Sequence, residues 1–172
     1  METKPTSHIV KGLVIGLILI VISLAGHVAN IWLEGWFGWV STVIMVAGIV
    51  WAVIYYGKQM NHNVTFGNLF AHGFKTTAVI ACVSFVFALL SVYLLFPTMV
   101  DEILEKGLDE ARKKGNVNED QLQQGMGLAR KIVGITTLAG SLIISLIIGA
   151  VASLIGAAVA KKNPQGPFSQ QE

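Results

Sequence analysis

Few side chains in this chain could do chemistry, and most of them sit in or beside apolar runs. His27 and Asn30 are three residues apart, on one face of a helix, near the end of such a run. An ionisable group in a membrane-type helix is by default a candidate for proton transfer or ligand binding. A histidine at the rim of the run serves equally well as a hydrogen-bonded interfacial residue. His8, His62 and His72 are spaced so that no local metal site forms. Thr136, Thr137, Ser141, Ser145 and Ser153 follow one another along the last apolar run. In an apolar helix such hydroxyls bond back to the carbonyl four residues earlier, or else line a polar path. The single cysteine, Cys82, has no disulfide partner and no CxxC spacing, and reads as a small packing residue. The sequence spells out no acid–base pair, activated nucleophile, phosphate loop or metal cluster. No catalytic residue, cofactor or metal is expected, and His27 with Asn30 is the candidate polar site.

The elements that would position these groups are long and apolar. Gly12–Leu33, Gly35–Gly57, Thr76–Val100 and Ile132–Ala160 contain no Asp, Glu, Lys or Arg. A bilayer core about 30 Å thick needs roughly 20 apolar residues of helix at about 1.5 Å each. All of these runs pass. The composition agrees: 53% of residues are hydrophobic and 13% charged, against about 25% charged in soluble domains. The expected fold is all-α, an integral membrane four-helix bundle with spans near 12–33, 36–57, 76–97 and 132–160. An extracytoplasmic helical hairpin is expected between spans three and four. One transmembrane domain over 1–162 accounts for nearly the whole length. The net charge of +2 is too small to suggest nucleic acid.

Lys4 and Lys11 before Leu13–Ile22, with Ser23-Leu24-Ala25 beyond, have the outline of a signal peptide. The apolar run continues to Leu33, longer than a signal core, so the first span is expected to be retained. Four spans put both ends on one side, together with Lys4, Lys11, Lys58, Lys75, Lys161 and Lys162. The other side carries Lys106, Arg112, Lys113, Lys114, Arg130 and Lys131, so basic residues tie. The second group is outweighed by acids, and the first span has lysines before it and none after it. Both termini are therefore expected in the cytoplasm. Trp32, Trp36 and Trp39 mark one membrane face, and Trp51, Tyr55 and Tyr56 the other.

Residues 66–75 place Phe66, Leu69, Phe70, Gly73 and Phe74 on one face, an amphipathic turn-and-a-half expected at the inner interface, with Thr65 as its N-cap. Pro97 should kink or end span three. Loop helices are expected over 98–114 and 119–131. The first is supported by Glu102–Lys106, Asp109–Lys113 and Glu110–Lys114 at four-residue spacing, and stops at Gly115. Asn118 with Gln121 caps the second, whose apolar face holds Leu122, Met126 and Ala129. Span four, about 43 Å if helical, carries Ser141, Ser145, Gly149, Ser153 and Ala157 at strict four-residue intervals. Such a ladder lets helix backbones approach closely. Gly12 and Gly16 form a shorter version in span one. The polar tail 163–172 is expected to be disordered.

One further pattern joins these elements. An aromatic second span ends in Tyr55-Tyr56-Gly57. A Thr65-Phe66-Gly67 element with Gly73 precedes span three, and Pro97 follows it. A charged loop over Asp101–Lys131 leads to a last span ending in Lys161-Lys162. Over roughly 9–162 this resembles domain-of-unknown-function family 4199, a family of Bacteroidota membrane proteins. The resemblance implies a four-span topology and an inner-membrane location, and no activity.

Packing faces are abundant and reactive groups scarce. The sequence therefore favours a non-enzymatic accessory or scaffold subunit. Its partners would be the lipid bilayer and other membrane proteins, or a second copy through span four. A small-solute or ion transporter or channel using His27, Asn30 and the span-four hydroxyls is the alternative, and a membrane-embedded enzyme the third reading. Proton-coupled four-span drug exporters carry an acid in their first span, and claudin-like and tetraspanin-like proteins carry extracellular cysteines; this chain has neither.

Overall fold

The structure, a computed structural model, describes residues 5–113, 115 and 119–162, with all their side chains except those of 119–124 and 126. The described residues form helices and no strands: α1 His8–Val28, α2 Gly35–Gln59, α3 Phe66–Leu90, a π-helical turn Ser91–Leu95, α4 Met99–Lys113 and α5 Glu119–Val159. His8–Val28, Gly35–Gln59, Phe66–Leu95 and Gly127–Val159 are long and apolar enough to cross a membrane. Their outward side chains agree: Leu17, Val21, Val43 and Ile147 are each more than half exposed, which lipid accommodates and water does not. The chain reads as a multi-pass membrane protein.

The helix ends have local causes. Ser7 caps α1, its hydroxyl accepting from the Val10 amide, so the helix begins before the charge-free run and includes Lys11. The same helix stops at Val28, although the apolar run continues to Leu33. Asn30 takes a left-handed conformation (φ 55°). The Ile31 amide then donates to the Gly26 carbonyl and the Asn30 amide to the His27 carbonyl, which is a Schellman closure. An identical device ends α2, with Asn61 and His62 at φ 51° and 63° and the His62 amide donating to Gly57. Thr65 caps α3 through the Asn68 amide. Residues 66–75, expected as an interfacial turn-and-a-half, are instead the first turns of α3 itself. Leu69, His72, Gly73 and Thr76 share one buried face there, and burying that face against neighbouring helices outweighs leaving it at an interface. Near Pro97, which cannot donate and whose ring crowds the preceding turn, α3 widens to a π turn in which the Phe96 amide donates to Ser91.

By their contacts the residues divide into two compact units, Met1–Ser84 with Ile144–Glu172, and Phe85–Ile143. The first brings together α1, α2, most of α3 and the end of α5. Ile15, Met45, Ile49, Ala52, Ile80 and Ala152 form one buried cluster, and Val53, Val64, Leu69, Ala157 and Ala160 another. Small residues set the spacing. A Cβ on Gly12 would lie 2.6 Å from Val79 Cβ, on Gly73 2.6 Å from Val53, and on Gly156 3.0 Å from Val53, and on Gly149 it would collide with Thr77.

The second unit holds the end of α3, the π turn, α4 and the first part of α5. Val100 and Leu104 are its buried apolar residues on α4, and Val100 lies beside Gly134. Arg130 pairs with Asp101 at 2.7 Å, and Arg112 with Asp109 at 3.4 Å. Asp101 and Glu102 in the first turn of α4, with Arg112 and Lys113 in the last, oppose the helix dipole. The expected Asn118 cap, the Glu110–Lys114 pair, the Leu122 and Met126 contacts and the tail 163–172 lie outside the described residues and side chains.

Candidate functional site

A cluster of polar side chains lies at one end of the first unit, where α1 begins, α2 ends, α3 begins and α5 ends. Lys11 is the centre. It is 3% exposed, and its ammonium has three protons to place. Acceptors stand at 3.3 Å (the Ala52 carbonyl), 3.4 Å (Gln59 Oε1) and 3.2 Å (His72 Nε2). The rings of Tyr55 and Tyr56 lie 5.1 and 5.5 Å from the nitrogen, within cation–π range. A buried cation is thus held by neutral oxygens, an imidazole and two aromatic faces, with no carboxylate. As an ammonium, Lys11 can only donate, so His72 Nε2 accepts and the ring proton rests on Nδ1.

Each partner is fixed in turn. His72 stacks flat on Tyr56, centroids 4.0 Å apart and planes 4° off parallel, and meets the His8 ring edge-on at 6.1 Å. Gln59 is locked by a reciprocal pair with Thr6: the Thr6 amide donates to Oε1 at 3.1 Å, and Nε2 donates to the Thr6 hydroxyl at 3.0 Å. At the same end His62 Nδ1 lies 3.2 Å from the Lys161 carbonyl, and Lys162 lies over the Phe66 ring at 5.1 Å. A cavity of about 300 Å³ opens beside His72, walled by the segment entering α1, by Tyr56 and by the first turns of α3.

Of the groups singled out in the sequence, His8, His62 and His72 lie at this end and the others fall elsewhere. His27 is half-buried and stacks on Trp32 at 4.4 Å. Asn30 is exposed and serves the closing turn of α1 through its backbone. Gly12 and Gly16 face Val79 and Val83 of α3. Along the α5 ladder Ser141 is exposed, Ser145 half-buried, and Gly149, Ser153 and Ala157 buried. Gly149 meets Thr77, and Ser153 meets Gly73. The hydroxyls bond back along their own helices: Ser153 to Gly149, Thr136 to Ile132, Ser141 to Leu138, and in α3 Thr76 to His72 and Thr77 to Gly73. Cys82 is exposed on the outer surface of α3. Among the described residues no group of three His, Cys, Asp or Glu could hold a metal ion.

The Lys11 cluster is not among the sites read from the sequence, where Lys11 counts as a flanking charge and Tyr55-Tyr56 as interface markers. A signal was there. Ser7 is a good N-cap, and a helix started from it puts Lys11 on the face of Ile15 and beside Gly12 and Gly16, the face most suited to burial.

The sequence pattern of the family described as "Protein of unknown function (DUF4199)" matches residues 11–162. The chain belongs to this family. The match begins at Lys11 and ends at Lys162, so it takes in the whole Lys11 cluster apart from Thr6 and His8. No curated protein and no solved structure matches the chain.

Proposed function

We propose that this DUF4199 protein is a non-enzymatic accessory or scaffold subunit of a bacterial inner-membrane assembly, with both termini and the Lys11 end in the cytoplasm. One observation carries the reading. Directly beyond the Lys11 cluster the first unit is closed by Ile15, Met45, Ile49, Ile80 and Ala152. The buried hydroxyls nearest to them, Thr76, Thr77 and Ser153, are satisfied by their own helices. A conducting or transporting path needs polar groups or opened backbone along the bundle interior, and an apolar, closely packed layer across the first unit favours a static role. The cytoplasmic orientation is supported by Lys11, Lys58, Lys75, Lys161 and Lys162 sharing one end. The inner-membrane location is supported by the family resemblance.

The test is affinity purification in mild detergent with mass spectrometry of co-purifying membrane proteins. A stoichiometric membrane-protein partner is expected. A partnerless monomer that supports solute flux in proteoliposomes, with flux lost in Lys11→Met, would replace this reading with transport.

A further inference from the structure

The cavity at the Lys11 end has a wall whose chemistry is specific. Apart from the Tyr56 phenol, its ionisable side chains are bases: His8, His72 and Lys75, with Lys11 Nζ 3.2 Å behind His72. Among the described residues of the first unit Glu34 is the only acid, and it precedes α2 at the opposite end of that helix from Gln59. Among the described residues no carboxylate lines the cavity.

The hydrogen-bonding capacity of the wall is also one-sided. The Thr6 hydroxyl accepts from Gln59 Nε2, and the Ser7 hydroxyl accepts from the Val10 amide. Each therefore keeps its own proton to give. His72 Nε2 is taken by Lys11, which leaves Nδ1–H as the donor of that ring. Asn68 adds an amide, and Lys75 an exposed ammonium. These donors, together with the Lys75 ammonium, suit a compact anion with several oxygens. The volume, about 300 Å³, is at the lower end of the roughly 300–1,000 Å³ typical of small-molecule sites. Lys161 and Lys162 belong to the same end of the unit, which is the level at which headgroup phosphates lie if the spans cross a bilayer.

We propose that this cavity binds a phosphate group, presented either by an anionic lipid headgroup or by a soluble phosphate compound. The inference does not depend on the accessory reading above, since a subunit of either kind could carry such a site.

The test uses delipidated full-length protein in non-ionic detergent, titrated by native mass spectrometry with inorganic phosphate, dioctanoyl phosphatidic acid and dioctanoylglycerol. At least one phosphate probe should bind, and binding should weaken as salt rises. Lys75→Gln should weaken it about fivefold while Lys75→Arg retains it. Lys75 is exposed, so its removal leaves the fold in place, and thermal unfolding without ligand checks this. If that check fails, Asn68→Ala is the substitute variant. Binding of inorganic phosphate would assign a soluble ligand, and binding of phosphatidic acid alone a lipid headgroup. Failure of both phosphate probes, equal binding of dioctanoylglycerol, or an affinity unchanged by loss of the wall side chain would overturn the proposal.

Discussion

At the scale of single residues, Lys11 is a buried cation whose protons are all placed on neutral acceptors. Lys11→Met keeps the length of the stem but removes the donors, leaving His72 Nε2 without the proton it accepts, while Gln59 Oε1 keeps the Thr6 amide. A stranded buried group costs on the order of 1–3 kcal/mol. Against that stands the relief of no longer burying a charge. Because an acceptor stands within reach of each ammonium proton, the first effect should win. We expect Lys11→Met to lower stability by about 2 kcal/mol, measured by chemical unfolding in detergent. Asn30 tests a different point. Its left-handed backbone at φ 55° closes α1, and a β-branched side chain resists that region by roughly 1–2 kcal/mol. Asn30→Val should be destabilising by that amount, and Asn30→Gly neutral. Loss of a cellular phenotype in a stable Asn30→Gly variant would show that the amide itself has a function.

At the scale of elements, what joins α5 to α3 and α2 is backbone proximity. Gly149 has no room for a Cβ because Thr77 occupies the space, and Thr77 is itself tethered to the Gly73 carbonyl at 3.1 Å. Gly149→Ala should cost about 1–3 kcal/mol of stability through overpacking. Thr77→Ala removes the two atoms that collide first, so the double variant should recover part of the loss, read as a coupling energy in a double-mutant cycle. Gly140→Ala is the control: nothing lies within 4 Å of its Cβ position, and it should be neutral or slightly stabilising through helix propensity. Equal melting of the Gly149→Ala and Gly140→Ala variants would contradict close packing at the ladder.

On the scale of the whole molecule, the basic residues of the first unit sit where α1 begins, α2 and α5 end and α3 begins, and the exposed apolar side chains lie along the spans. Alkaline phosphatase fused after residue 115 should therefore be active, and a fusion after residue 165 should be silent. The reverse pattern would place Lys11, its cavity and both termini outside the cytoplasm. Cys82, exposed on the outer surface of α3, should resist a membrane-impermeant maleimide until the protein is unfolded, because such a reagent does not enter the hydrocarbon core.

The sequence by itself determined the solvent and the number of spans. A run of twenty apolar residues has one inexpensive fate, a helix in lipid, because its backbone polar groups must be satisfied internally. It also carried the family, through short motifs from Tyr55-Tyr56-Gly57 to Lys161-Lys162. Spacing alone singled out Gly12, Gly16 and the α5 ladder; of these Gly12, Gly16, Gly149 and Ser153 lie against α3, and Ser141 is exposed. The ends of the helices were only partly legible. The apolar run to Leu33 says nothing of the left-handed turn at Asn30, since an asparagine is also tolerated inside a helix. The Lys11 site was decided by tertiary structure. Lys11, Ala52, Gln59 and His72 come from three helices, and nothing in their local sequence announces that they meet. A lysine at the start of a span reads as an orienting charge until the fold shows that its ammonium points inward. The reason is physical: a charge in an apolar context is read by what surrounds it, and for Lys11 every partner but its own helix lies at least 41 residues away along the chain.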